Sequence, residues 1–353
     1  MTLTMGRYMS YDSPIIYDGN PITDKYVALL NKEEREKLID PLTDIFFAMG
    51  YQYPDNVKQI DKEWKRIIEH EPDISINEVF NNDSVGTYIS KYFCKDFYKS
   101  KTAKNGRSLV SIFEDKELVR KIISNRLGIS WYEECPGTDG TFNISPKMVF
   151  FQGPRSMRLT NQQSIYKPTV HKYLIKKYTK PGDRIYDYSA GWGARMLATA
   201  SFGDREYVGV DPLTVPDLEK MRDYLKLKSV TLIQMGSEEY LENGEFDLIA
   251  SSPPYYDQEL YSDDKTQANN NGEDYFYNKY WLKTLKNCHK MLKVGGYFGL
   301  NVANYPKMLD MAREEFGEEE DKVGLRTVRS HLNKRGKEDA QKYEYIYMFK
   351  SMG

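Results

Sequence analysis

Two glycines and an aspartate, set between apolar segments, are the first residues of this chain whose spacing suits ligand chemistry. Asp187-Tyr188-Ser189-Ala190-Gly191-Trp192-Gly193-Ala194-Arg195 follows a short apolar run and opens a helical pattern. Gly191 and Gly193 let the backbone turn tightly and come close to a ligand, and the helix start behind them offers unpaired N–H groups. A turn that needs glycine only for its geometry accounts for this stretch equally well. Asp211, in VGVDP, comes eighteen positions after Gly193. A carboxylate there can accept hydrogen bonds from both hydroxyls of a ribose. Together the two stretches point to an adenosine ligand, with NAD and S-adenosylmethionine both open.

A third stretch separates those two. Asp247-Leu248-Ile249-Ala250-Ser251-Ser252-Pro253-Pro254-Tyr255-Tyr256 reads as an apolar strand ended by two prolines, which cannot continue pairing. The chain must leave the sheet there in a fixed conformation, at the strand's carboxyl end, where open α/β sheets bind ligands. Such a loop aims a backbone carbonyl and a side-chain oxygen at one point, with an aromatic ring beside them. Hydride transfer does not call for that arrangement. Methylation of an exocyclic amine does, because the amine lone pair is delocalised into the ring and positioning and electrostatics must make it nucleophilic.

Taken in order, DRIYD, DYSAGWG, VGVDP and SSPPYY resemble the S-adenosylmethionine-dependent amino-methyltransferases that act on nucleic-acid bases. That family carries Asp, Asn or Ser, then two prolines, then Tyr, Phe or Trp at the fourth strand, and Ser252-Pro253-Pro254-Tyr255 matches. The resemblance covers about residues 150–350. It implies that Asp187, Gly191 and Gly193, with Ser189 and Ala190 of the same loop, hold the methionine part of S-adenosylmethionine. It places Asp211 on the ribose and Ser237 or Glu238 near the adenine. Lys167, Pro168 and Thr169, at the head of KPTVHKYLIKKY, would touch the methionine carboxylate. Ser252 and the Pro253 carbonyl would accept hydrogen bonds from the target amine while Tyr255 stacks on the base, with Pro254 fixing the loop. Tyr256, Glu259 and Tyr261 would line the pocket.

The resemblance also implies DNA as partner, with the target base flipped from the stack at a cost of a few kcal/mol. Serine at the first loop position favours cytosine-N4 over adenine-N6; an RNA base is the alternative substrate. A non-catalytic cofactor-binding or nucleic-acid-binding module of the same fold is the alternative from another class. Cytosine-C5 chemistry is excluded, since it would use a Pro-Cys motif and Cys135-Pro136 has the order reversed. Protein-glutamine methylases typically have Asn where Ser252 stands. The segment from Asp257 to Asn278 reads either as a cover over the flipped base or as an insertion without a role.

Several elements must position these residues. RIYDYSA, REYVGVDP, SVTLIQMG, EFDLIASSPP, YFGLNVAN and KYEYIYMFKS read as strands, and ARMLATASF, DLEKMRDYLKLK and YWLKTLKNCHKMLKVGG as helices between them. Such alternation predicts an α/β fold: a mostly parallel sheet with helices on both faces. With the resemblance, this becomes a Rossmann-like class I methyltransferase domain over residues 146–353. Residues 1–145 read as a mainly helical domain and a candidate for nucleic-acid recognition. Within it, KYFCKDFYKSKTAKNGR interleaves Lys91, Lys95, Lys99, Lys101, Lys104 and Arg107 with Tyr92, Phe93, Phe97 and Tyr98, which suits phosphates and stacked bases. A solvated helix face over a buried aromatic stripe explains it too. Arg155 and Arg158 in GPRSMRLTNQQ, and the hairpin-like 326–337 with Arg326, Arg329, Lys334 and Arg335, are further candidate phosphate contacts.

Composition sets the bounds. The 353 residues carry 50 basic and 52 acidic side chains, so nucleic-acid contact must come from local patches. Three cysteines without CxxC spacing and four histidines without an HxH or HxxxH pair argue against a metal enzyme. The first residues lack the apolar run of a signal peptide and no stretch reaches membrane-span length, so the expected location is the cytoplasm. The 29 tyrosines suit half-wet surfaces, where a ring is buried and its hydroxyl stays bonded.

Overall fold

A computed structural model describes residues 15–80, 83–102, 106–129, 144–160, 163–256, 261, 264–302, 305–326 and 343–353. The chain forms two compact units: Met1–Val57, Lys95–Gln163 and Gln258–Ser262 in one, and Lys58–Cys94, Ser164–Asp257 and Asp263–Gly353 in the other. The expected cut near residue 145 therefore does not coincide with the division between them. Residues 58–94, read as part of the N-terminal domain, join the sheet unit because they add a strand to its edge and two helices to its core.

The sheet of that unit is built from β1 (Glu78–Phe80), β2 (Arg184–Asp187), β3 (Glu206–Val210), β4 (Val230–Ile233), β5 (Phe246–Ser251), β6 (Leu292–Asn301), β7 (Asp321–Arg326) and β8 (Tyr343–Lys350). Their spatial order is β1-β7-β8-β6-β5-β2-β3-β4. All neighbours run parallel except β8, which is antiparallel to both β6 and β7. Its helices are α1 (Val57–Glu69), α2 (Thr87–Phe93), α3 (Pro168–Tyr178), α4 (Ala194–Ala200), α5 (Val215–Leu225), α6 (Leu282–Met291) and α7 (Pro306–Phe316). This is the expected fold class, Rossmann-like with helices on both faces. From β2 the chain winds outward through β3 and β4, then returns to β5 on the other side of β2. Ligands bind at such a reversal, outside the carboxyl ends of the strands. Asp187 and Ser251 are the last residues of the two strands that flank it.

Burial explains the strand sequences. β5 is covered on both faces: Ile249 packs with Phe298, Leu300, Leu285 and Met308 on the side of α6 and α7, while Leu248 and Ala250 pack with Val170, Leu174 and Ile346 on the side of α3. A strand covered twice reads as a nearly unbroken apolar run, as FDLIAS does. Phe298 is fully buried and stacks on Phe316 at 4.3 Å and on Tyr188 at 5.6 Å. Each such ring contributes roughly 1.5–3 kcal/mol. A third cluster joins Ile60, Ile67 and Ile89 of α1 and α2 to Met196, Leu197, Leu218 and Met221 of α4 and α5.

Three features differ from the expectation. The helix read through KVGG stops at Met291, and β6 starts at once with a register shift opposite Phe246 and Leu248. Strands β7 and β1 were not read at all; β1 is three residues long and is held by pairing with β7. Within the segment from Asp257 to Asn278 the described residues are partly folded: Asn271 donates to the Lys265 and Gln267 carbonyls, and a π-helical segment, Tyr275–Trp281, leads into α6.

The described residues of the first unit form helices and a short hairpin of Ile15–Tyr17 and Asn20–Ile22. Its longest helix, Lys32–Met49, opens on a capping box in which Asn31 and Glu34 bond reciprocally. Phe97 and Tyr98 of the lysine–aromatic segment are buried, Tyr98 against Tyr51, Tyr53 and Phe151. Lys95 donates to the Pro54 carbonyl and Lys99 pairs with Asp96. The rings thus serve the interior, which overturns their reading as base-stacking platforms; amphipathic spacing alone does not say which face is wet.

Candidate active site

Asp187 organises the site. It is fully buried, and four donors converge on its carboxylate. The Ser189 N–H and the Ser251 hydroxyl donate to Oδ1 at 3.2 and 2.7 Å; Arg195 Nε and the Tyr207 hydroxyl donate to Oδ2 at 2.9 and 2.8 Å. Arg195 also donates to the Ser189 carbonyl, which closes the glycine loop on itself. Burial acts against the Arg195 charge, but Asp187 more than offsets it and holds the guanidinium protonated. Burial also pushes the Tyr207 phenol well up, with Asp187 acting in the same direction, so Tyr207 remains a donor. All four donors come from the protein, and through them Asp187 ties the glycine loop to α4, β3 and β5.

The glycine loop has the geometry its sequence implied. Gly191 and Gly193 have φ of +51° and +78°, in the left-handed region that favours glycine. Gly193 caps α4, and a Cβ there would stand 2.8 Å from Leu218 Cδ2. Ala190 is buried and its N–H donates to the Val210 carbonyl. Ser189 is half-buried, its hydroxyl on the Tyr188 carbonyl. Asp211, just past β3, accepts from the N–H groups of Gly191, Leu213 and Thr214 at 3.0, 3.0 and 2.9 Å. Burial pushes its carboxyl above the usual range, against the pull of those N–H groups.

The residues expected near an adenine divide. Ser237 is buried and shares a hydrogen bond with Thr284 of α6, so it fastens the loop after β4. Glu238 has a buried Oε2 with no hydrogen-bond partner among the described residues, and burial raises its carboxyl. Burial raises the phenol of Tyr280 in the π-helical segment, and the Glu238 and Asp211 carboxylates act in the same direction while Ser189 and Ser237 act against it. An unmet acidic oxygen, two left-handed glycines and a ribose-competent aspartate fit an adenosine-containing cofactor.

The proline loop is tied to the glycine loop through Ser251, whose hydroxyl reaches Asp187 and whose carbonyl accepts from Tyr188. Ser252 and Pro254 are half-buried, and Pro253 is buried. Tyr255 stacks on Tyr305, 4.8 Å between centroids and 13° between planes, and lies near the Tyr166 phenol. Tyr256 packs against Phe276 and Tyr277. Other expected positions fall elsewhere. Pro168 and Thr169 are buried, and the Thr169 hydroxyl donates to Asp83; Lys167 is half-buried at the start of α3. Arg155 and Arg158 are exposed residues of the other unit, Arg155 over the Phe151 ring. Tyr261 is grouped with that unit too. Glu259, Lys104, Arg329, Lys334 and Arg335 lie outside the described residues.

Sequence reading missed Ser251, Tyr207, Tyr166 and Tyr280. The signal for Tyr207 lay in YVGV: Gly209 follows on the same face, and a Cβ there would be 2.6 Å from the Tyr207 ring. A glycine two residues after a tyrosine on a strand leaves room for the ring to lie along the strand and carry its hydroxyl to the neighbouring strand. Among the described residues no group of acidic, histidine or cysteine side chains is placed to hold a metal ion, and no helix is long and apolar enough to cross a membrane.

No protein-family profile matches the sequence, and no curated protein does. Solved structures are similar to part of this chain. TrmN from Thermus thermophilus is 15% identical over 54% of this chain and 50% of its own, with a TM-score of 0.39. The 16S rRNA N2 G1207 methyltransferase RsmC of T. thermophilus, solved with AdoMet and guanosine, is 18% identical over 54% and 44%, at 0.36. A SAM-dependent O-methyltransferase from Thermotoga maritima is 17% identical over 56% and 70%, also at 0.36. The chain spans about half the length of the first two of these.

Proposed function

We propose that this protein transfers a methyl group from S-adenosylmethionine to the exocyclic amine of a nucleic-acid base, in DNA first and at cytosine N4 ahead of adenine N6. The observation that carries the reading is the Ser251–Asp187 hydrogen bond of 2.7 Å, which fastens the proline loop to the glycine loop at the reversal point of the sheet. A loop for an adenosine cofactor and a loop for an amine are then held to one carboxylate, and their separation is fixed before any ligand arrives. Such preorganisation supplies catalysis where the methyl donor is already reactive.

In this reading the sulfonium of S-adenosylmethionine supplies the activated methyl group. The glycine loop, Gly191 and Gly193, and the start of α4 would hold the methionine part of the cofactor, Asp211 would exchange its backbone donors for ribose hydroxyls, and the unmet Glu238 oxygen would take the adenine amine. Ser252 and the Pro253 carbonyl accept N–H bonds from the target amine and draw its nitrogen toward tetrahedral geometry. The nitrogen–carbon bond forms as the carbon–sulfur bond breaks with its electron pair on sulfur, and the displaced N–H proton leaves to solvent. Tyr255 stacks on the base, exchanging Tyr305 for it or holding the base on its other face. The helical unit, with Arg155 and Arg158, is assigned to nucleic-acid contact.

The test is nucleoside mass spectrometry on DNA and RNA from cells expressing the protein or a Pro253→Ala control. N4-methylcytosine or N6-methyladenine in DNA that vanishes in the control supports the reading and names the base. A methylated base confined to RNA transfers the mechanism to that polymer. No new nucleoside in either pool overturns it.

A further inference from the structure

Asn301, the last residue of β6, is 8% exposed, and its Oδ1 has no hydrogen-bond partner among the described residues. A buried acceptor left unpaired is costly, and nothing in the packing of the sheet requires one there. Its position gives it a use. Ser251, the residue before the proline loop, pairs with Leu300, so Asn301 stands one residue past the last paired position, at the level where the proline loop leaves β5. Asn301 pairs on its other side with Ile346, which packs with Leu248 and Ala250 on the α3 face. Leu300 and Val302 point to α6 and α7, which sets Asn301 on the α3 face.

Resting on the function proposed above, we infer that Asn301 supplies the carboxamide oxygen that accepts an N–H of the target amine, beside Ser252 and the Pro253 carbonyl. The reason is chemical. A serine hydroxyl is donor and acceptor at once and must place its own hydrogen while it accepts, whereas a carboxamide oxygen only accepts and offers two lone pairs. Where the resembling family has Asn before the two prolines, that oxygen is part of the loop. Here the loop has Ser, and the neighbouring strand ends on Asn at the same level. Removing an acceptor used this way weakens the transition state more than the ground state, because the N–H grows more acidic as the nitrogen attacks.

The experiment measures transfer of tritium from labelled S-adenosylmethionine to bulk DNA and RNA, binding of S-adenosylhomocysteine by calorimetry, and thermal melting. It compares the full-length wild type with Asn301→Leu and with Asn301→Leu combined with Ser252→Asn. Asn301→Leu is expected to lower kcat by about 100-fold, to leave S-adenosylhomocysteine binding unchanged, and to melt at the same temperature or higher, since an unmet polar group is gone. Restoring a carboxamide in the loop with Ser252→Asn is expected to return about tenfold of the lost rate. Unchanged kcat in Asn301→Leu overturns the assignment, and so does a lower melting temperature with weakened cofactor binding, which marks a structural side chain. A wild type that binds S-adenosylhomocysteine yet transfers to neither polymer overturns the proposed function itself, and the assignment with it.

Discussion

Replacing Ser251 by alanine removes the 2.7 Å bond to Asp187 Oδ1 and leaves that oxygen with only the Ser189 N–H at 3.2 Å. The side chain is 4% exposed, so water does not readily take the place of the hydroxyl. A hydrogen bond to a charged acceptor is worth about 1.5–3 kcal/mol, and leaving part of a buried carboxylate unmet keeps the cost at that level. For a unit of this size about 2–4 °C is lost per kcal/mol, which gives a drop in melting temperature of roughly 3–12 °C. Function is expected to suffer separately, because the proline loop loses its tie to the glycine loop. Melting by near-ultraviolet circular dichroism, with calorimetric titration of S-adenosylhomocysteine, reads both effects. Tyr207→Phe removes a second donor from the same carboxylate, on Oδ2. The double variant is expected to depart from additivity by about 0.5–3 kcal/mol, as residues sharing one network do. Equal melting temperatures for wild type and Ser251→Ala, together with strict additivity, would refute the account of Asp187 as the junction of the two loops.

Asp211→Asn is expected to weaken S-adenosylhomocysteine about 10–100-fold by calorimetry, the loss of charged acceptors for a ribose, and to lower the melting temperature as well, because the carboxamide NH2 faces a backbone N–H that the carboxylate now accepts. Gly193→Ala strains a φ of +78° and drives a Cβ to 2.8 Å from Leu218; left-handed strain and overpacking together cost about 2–5 kcal/mol, read as a lower denaturation midpoint. His171 is fully buried, neither ring nitrogen has a hydrogen-bond partner among the described residues, and burial pulls its pKa down to about 3. The unfolded chain therefore binds a proton that the folded chain refuses, so stability is complete above the ordinary histidine pKa of about 6.5 and falls as pH drops toward 3. The slope from this residue is about 1.4 kcal/mol per pH unit, and His171→Phe is expected to flatten the acid limb of a stability–pH curve between those limits. Tyr255→Phe is expected to keep transfer near the wild-type rate and Tyr255→Ala to lose it, measured by tritium incorporation, since stacking needs the ring and not the hydroxyl.

The amino-acid sequence was sufficient for the strand–helix alternation, the glycine turn before α4, the aspartate after β3 and the stop imposed by Pro253 and Pro254. Each follows from local physics: apolar period, backbone freedom at glycine, the missing N–H of proline. What a pattern of types could not reveal was which polar groups face inward. Asp187 reads like a ligand contact, yet its four donors come from the loop after β2, from α4, from β3 and from β5, and only the sheet order brings them together. Phe97 and Tyr98 have the spacing of a stacking surface, and tertiary packing buries them. Strand β1 is three residues long with no pattern of its own and exists because β7 offers an unpaired edge. Asn301 sits in an apolar strand like any stray polar residue until the register sets it at the level where the proline loop leaves β5. Local propensity acts over a few residues of chain, whereas burial and register depend on what the rest of the chain brings alongside.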